Sequence, residues 1–161
     1  MKIVILGAGR IGGSLARNLS NSNYEVCVVD KNKNRLSELE DRLDIMTVEG
    51  SASHLKTLKK SNLDKESIIL AVTSNDEVNI VACQIAKKFF HVKKTICRFK
   101  DNSYFENLDI FGEGVIDIPI SPEDEITTHL KELIDHPGAN QIESFANGKV
   151  KLVSVKAKKK G

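Results

Sequence analysis

A chain of 161 residues, 40% hydrophobic and 29% charged, has the size and make-up of one ordinary folded domain. Its formal net charge of +2 argues against nucleic-acid binding by bulk electrostatics, and no run approaches the ~18 apolar residues of a membrane span. Cys27, Cys83 and Cys97 are scattered and form no CxxC pair, which argues against a disulfide framework and fits a reducing compartment.

The chain opens on Met1-Lys2 and a short apolar stretch that ends at Gly7, too short for a signal peptide, so a cytoplasmic protein is expected. Ile3-Val4-Ile5-Leu6 reads as a buried strand. Residues 10–20 set Ile11, Leu15 and Leu19 on one helix face. Val26 to Val29 reads as a second strand, and Leu36, Leu39 and Leu43 mark a second helix. Ile45 to Val48 is the third strand, and residues 53–60 a short helix. Ile68 to Val72 is the fourth strand; Ser74 and Glu77 behind it have capping-box spacing. The helix that follows is expected to bury Val78, Val81, Ile85 and Phe89. Residues 94–98 form a fifth strand and Val115 to Ile118 a short sixth. Ser121-Pro122 with Glu123, Asp124 and Glu125 is a helix start, and Ile126, Leu130, Leu133 and Ile134 give that helix an apolar face.

Strand–helix alternation predicts an α/β fold: a Rossmann-like, doubly wound parallel sheet of about six strands in the order 3-2-1-4-5-6, with helices on both faces. After His136-Pro137-Gly138, residues 141–156 alternate apolar and polar around Asn147-Gly148, a hairpin signal. Lys156 to Lys160 reads as a solvated basic end. The predicted division is therefore 1–136 for the nucleotide-binding domain and 137–161 for a linker and the start of a truncated C-terminal lobe.

Gly7-Ala8-Gly9-Arg10-Ile11-Gly12 is GxGxxG, placed between a strand and a helix. Gly7 permits the tight turn, Gly9 lets backbone approach a pyrophosphate, and Gly12 lets helix and strand pack closely. Backbone N–H groups at the helix start would hold the phosphates. Asp30 lies 18 residues past Gly12, about where a ribose-binding acid belongs. A carboxylate there accepts from ribose hydroxyls and repels a 2′-phosphate, which favours NAD over NADP; Lys31, Lys33 and Arg35 nearby weigh the other way.

Thr73-Ser74, at the carboxyl end of the fourth strand, stands beside the switch point where such sheets bind ligands. Gly50-Ser51-Ala52 borders the expected adenine pocket. Arg98 ends the fifth strand at the same rim, suited to phosphate or ribose. His54, His91, His129 and His136 show no metal-ligand spacing, and helix-dipole complementarity explains the acids at 123–125 before a divalent-ion site does.

The segments GAGRIGGSLARNL, VVDKNKNRL, EGSASHLKTLKKS, AVTSNDEVNIVACQIA, ICRF and ISPEDEITTHLKELIDHPGANQIESFANGKVKLVSVKA together resemble the regulatory subunits of Trk potassium uptake systems, the TrkA family. The resemblance covers essentially the entire chain and rests on two segments no generic glycine loop supplies, AVTSNDEVN and PGA…FANGKV. It implies an N-terminal domain of KTN or RCK type that binds NAD+ or NADH through Gly7 to Ile11, Asp30, Thr73-Ser74 and Arg98. It further implies no catalysis, self-association as dimer or tetramer, and a peripheral place at the inner face of the membrane, without insertion, on a Trk-type potassium channel subunit. Ser51 departs from the acid that many relatives carry there. Relatives are usually longer, so a fragment, or one half of a tandem subunit, is expected. Two alternatives stay open: an ATP- or ADP-binding regulatory module of the same channel class, and the cofactor domain of an NAD-dependent dehydrogenase. Against the enzyme, the chain has no Tyr-x-x-x-Lys pair and no substrate domain.

Overall fold

In a computed structural model of the chain, residues 1–22, 24–137, 139–145 and 150–155 are described. They form two compact units, Met1–Ser121 and Pro122–Gly161. In the first, β1 (Lys2–Leu6), β2 (Glu25–Asp30), β3 (Met46–Glu49), β4 (Ile68–Ala71), β5 (Lys94–Arg98) and β6 (Ile118–Ile120) build one sheet in the order β3-β2-β1-β4-β5-β6. Every pairing in it is parallel. The predicted strand order holds.

The β-branched runs of β1, β2 and β4 are buried on both faces, which is why they read as continuous apolar stretches. Alternate residues feed two cores. Ile3, Ile5, Val26 and Val28 pack with Leu36 and Leu39 of α2 (Lys33–Glu40) and Ala16 of α1 (Arg10–Ser20). Val4, Leu6, Cys27 and Val29 pack with Leu58 of α3 (Leu55–Lys60) and Ile80, Ala82 and Cys83 of α4 (Asp76–Ile85). Phe99, fully buried after β5, stacks with Phe111 just past α5 (Asn102–Glu106) at a ring separation of 6.4 Å.

Three local expectations are corrected. Helix α4 starts one residue later than the Ser74–Glu77 spacing implied. Asn75, in extended backbone, is its N-cap and accepts from Val78 N at 2.7 Å, while Ser74 is exposed. Of the expected set on α4, Val78 and Ile85 pack half-buried against the core, but Val81 and Phe89 are 39% and 51% exposed; the fully buried stripe is Asn79, Ile80, Ala82 and Cys83. Small residues on that stripe bring the helix close to the sheet, and a π-helical turn over Ala86–Phe90 shifts the phase behind it. On α1 the expected face holds: Ile11, Leu15 and Leu19 pack half-buried against the core, beside the buried Gly12, Gly13 and Ala16. Strand β6 begins at Ile118 rather than Val115. Val115 is buried in the preceding turn, and Asp117 Oδ2 takes the Thr95 N–H at 2.7 Å, so the ladder starts only at Ile96 and Ile118. Pro119 then sits on an edge strand, where its missing N–H costs nothing.

The second unit holds α6 (Pro122–Asp135) and an antiparallel pair, β7 (Ala139–Phe145) and β8 (Val150–Val155). By its contacts α6 groups with the strands behind it. The Ala139 N–H donates to His136 O at 3.1 Å. Asn147-Gly148 and Lys156–Lys160 lie outside the described residues. No described helix is long and apolar enough to cross a membrane.

Candidate nucleotide-binding site

The glycine turn joins β1 to α1 at the carboxyl end of the sheet. Gly7 has φ +106°, a conformation L side chains rarely adopt, and its N–H donates to Val29 O at 2.7 Å. A Cβ at Gly12 would stand 1.8 Å from Gly7 O, so the helix crosses the strand end at a distance only glycine allows. At Gly9 the surroundings differ: a Cβ there meets nothing within 4 Å. Gly9 is the N-cap of α1, and no side chain caps that helix. Helices α2, α4 and α5 are capped by Asn32, Asn75 and Asp101; short α3, like α1, is not. Uncapped N–H groups and the positive end of the helix dipole thus face the open space beside Gly9. Arg10, first in the helix, is exposed, and Ile11 is half-buried against the α1–α2 core.

Asp30, the last residue of β2, turns its carboxylate toward the same turn. Oδ2 accepts from Ala8 N at 2.6 Å and Oδ1 from Asn32 N at 2.7 Å. Each oxygen keeps a second lone pair, the number a ribose diol needs. The Asp30 carbonyl also accepts from Gly50 N at 2.9 Å, which ties the third loop to the second strand. There Ser51 and Ser53 hydroxyls lie 3.1 Å apart, and a Cβ on Gly50 would stand 2.6 Å from Thr57 Oγ1.

The other half of the rim is Thr73 and Arg98. A Cβ on Gly7 would stand 3.0 Å from Thr73 Cα, so the glycine turn and the β4 loop are in contact. Arg98 is 8% exposed, and its Nη1 donates to Thr73 O at 3.3 Å. The fold therefore brings Gly7–Gly12 together with Asp30 on one side and with Thr73 on the other, and joins Thr73 to Arg98. Ser74 stands exposed at the tip of the β4 loop.

Sequence reasoning missed two residues here. Asn79, fully buried, accepts from Thr73 N at 3.0 Å and donates to Arg98 O at 3.0 Å. Asp76 Oδ2 accepts from the amides of Lys100 and Asp101, each at 2.9 Å. The available signal is a polar residue, Asn79, beside Ile80, Ala82 and Cys83 on α4, next to the apolar face that periodicity alone selects.

His54, His91, His129 and His136 are all exposed, and among the described residues no group of three or more His, Cys, Asp or Glu could hold a metal ion. The cysteines are buried thiols, with Cys27 pushed up to about 12 by burial. For Cys83, a hydrogen bond with Cys97 and then burial raise it well above the ordinary range.

Residues 3–122 match the family model described as the TrkA-N domain. The chain belongs to the TrkA-N domain family. Over 159 residues this TrkA-N chain is 44% identical to the Trk system potassium uptake protein TrkA of Halomonas elongata, covering 98% of the chain and 35% of that protein. The chain thus spans about a third of the length of the curated relatives it matches. Among solved structures, the TrkA-N domain of inner membrane protein ybaL from Escherichia coli superposes with a TM-score of 0.70 at 21% identity, over 83% of this chain and 96% of that one. A GsuK channel bound to NAD aligns with a TM-score of 0.62 at 22% identity, over 78% and 22% of the two chains. GsuK bound to ADP aligns with a TM-score of 0.60 at 21% identity, over 74% and 31%.

Proposed function

We propose that this TrkA-N domain is the nucleotide sensor of a potassium uptake system and that its ligand is an adenine dinucleotide, NAD+ or NADH. The observation that carries the reading is the uncapped glycine turn with open space at Gly9, backed by the Asp30 carboxylate 2.6 Å from Ala8 N. The pyrophosphate would lie on the α1 N-terminus and the adenosine ribose on Asp30. Thr73, Ser74 and Arg98 would line the far half. No catalytic step is assigned: the domain would bind and report. The Trk names of its relatives support potassium uptake as the process and a membrane-embedded potassium channel subunit as the partner.

Occupancy would act by favouring one arrangement of subunits over another. A ligand shifts such an equilibrium only by its differential affinity for the two states, typically ~1–3 kcal/mol, and the coupling is reciprocal. Self-association is part of the reading, because α6 presents Ile126, Leu130 and Ile134 at 61%, 54% and 75% exposure. The domain would then act at the inner face of the membrane through its partner.

A second reading, an ATP- or ADP-binding regulator, draws support from the ADP-bound GsuK neighbour. Calorimetric titration with NADH, NAD+, ATP and ADP separates the two. NADH or NAD+ binding best supports the redox sensor, ATP or ADP binding best moves the reading to an energy-charge sensor, and no binding of any of them overturns both.

A further inference from the structure

We infer that Asn79 is the positioning residue for the far half of the nucleotide site, the half that distinguishes a dinucleotide from a mononucleotide. This rests on the nucleotide-binding reading above and goes beyond it, since Asn79 lies under the rim and belongs to no glycine-loop motif.

Asn79 makes four hydrogen bonds from one amide. Oδ1 accepts from Thr73 N at 3.0 Å and Thr73 Oγ1 at 2.7 Å; Nδ2 donates to Thr73 O at 3.3 Å and Arg98 O at 3.0 Å. The partners fix its orientation. A backbone N–H only donates and must face Oδ1; two carbonyls only accept and must face Nδ2. The residue is fully buried, so removing the amide strips the Thr73 and Arg98 groups of their side-chain partner. Its backbone N–H bonds Asn75 O at 3.2 Å, which anchors it in the first turn of α4. One turn earlier, Asp76 ties the same helix to the amides of Lys100 and Asp101, just past β5.

These contacts connect three strand ends. The glycine turn after β1 presses on Thr73, whose Cα lies 3.0 Å from where a Gly7 Cβ would stand. Asn79 sets the height and orientation of Thr73, and holds the Arg98 backbone so that its Nη1 reaches Thr73 O. A dinucleotide crosses from the β1–β2–β3 side to the β4–β5 side at this switch point, whereas a mononucleotide needs only the first side. Asn79 therefore governs the second side alone.

The test measures Kd for NADH and for AMP on this chain and its Asn79→Ala variant, with calorimetric stoichiometry reporting the folded share. Asn79→Ala is expected to weaken NADH about ten-fold, the ~1.4 kcal/mol of one buried hydrogen-bonded contact, and to leave AMP within about two-fold. A merely structural role would lower the folded share and leave both constants of the remainder unchanged. Should the alanine variant not fold, the isosteric Asn79→Asp carries the test: it keeps the acceptors for Thr73 but sets a carboxylate oxygen against two carbonyls. Equal losses for both ligands, or no loss for NADH, overturn the assignment, as does a wild-type chain that binds NADH no tighter than AMP. A wild type that binds neither nucleotide ends the nucleotide reading itself, and this proposal with it.

Discussion

Two glycines of one motif should respond oppositely to the same substitution. Gly12→Ala places a methyl 1.8 Å from Gly7 O, 2.9 Å from Gly7 C and 3.3 Å from Ile5 Cγ2. Backbone blocks it on one side and the sheet core on the other, so α1 must draw back by about 1.6 Å to reach ordinary contact. Overpacking of this kind costs ~1–3 kcal/mol, and rigid backbone puts this site at the upper end. Alanine in a helix returns ~1 kcal/mol. The net loss is ~2 kcal/mol, or a fall in Tm of about 4–8 °C for a chain of this length. Gly9→Ala meets nothing within 4 Å, and φ at Gly9 is −73°, which any residue adopts. Its stability should stay within ~0.5 kcal/mol of wild type. The space it fills is where the pyrophosphate is placed, so NADH affinity should fall by more than about ten-fold. Thermal melts and calorimetry on the two variants check both halves. A Gly12→Ala protein that melts with wild type would refute the packing argument. A Gly9→Ala protein that binds NADH like wild type would refute the placement of the ligand.

Three further outcomes are expected. Asp30→Ala should abolish measurable NADH binding, because it removes the ribose acceptor and frees the Ala8 and Asn32 amides; a calorimetric Kd equal to wild type would exclude the ribose role. For Asp117, burial pushes the carboxyl up, but Lys87 at 2.7 Å and the Thr95 donors outweigh it and hold it below its ordinary 3.8. A depressed carboxyl contributes stability that is present above the ordinary value and lost as pH falls through the lower folded one. The urea-midpoint difference between wild type and Asp117→Asn should therefore be constant from about pH 7 to 5 and shrink below that; a difference independent of pH down to 3 would contradict it. Leu130→Glu, on the exposed face of α6, should lower the sedimentation mass toward the monomer, and an unchanged mass would remove that face from self-association.

The sheet was legible because parallel strands buried on both faces leave continuous β-branched runs, as at Ile3 to Leu6 and Val26 to Val29. The glycine turn was legible for the same local reason: Gly7 and Gly12 answer to backbone constraints a few residues away. Features that depend on partners distant in sequence were not. The start of β6 is set by Asp117 reaching the Thr95 N–H across the sheet. The inward face of α4 is set by how closely small side chains let it approach β4 and β5, so of the apolar set at 78, 81, 85 and 89 only Val78 and Ile85 pack against the core. Asn79 was hidden with that face. Arg98 was placed at the correct strand end, but its bond to Thr73 O is visible only once the two loops are side by side.

The most direct test of the account is an amide NMR titration of this chain with NADH. Saturable shifts centred on Ala8, Gly9, Arg10 and Ile11 are expected, with Asp30 and Thr73 moving at the same concentrations. Shifts confined to other surfaces, or a spectrum unchanged at millimolar NADH, would contradict it.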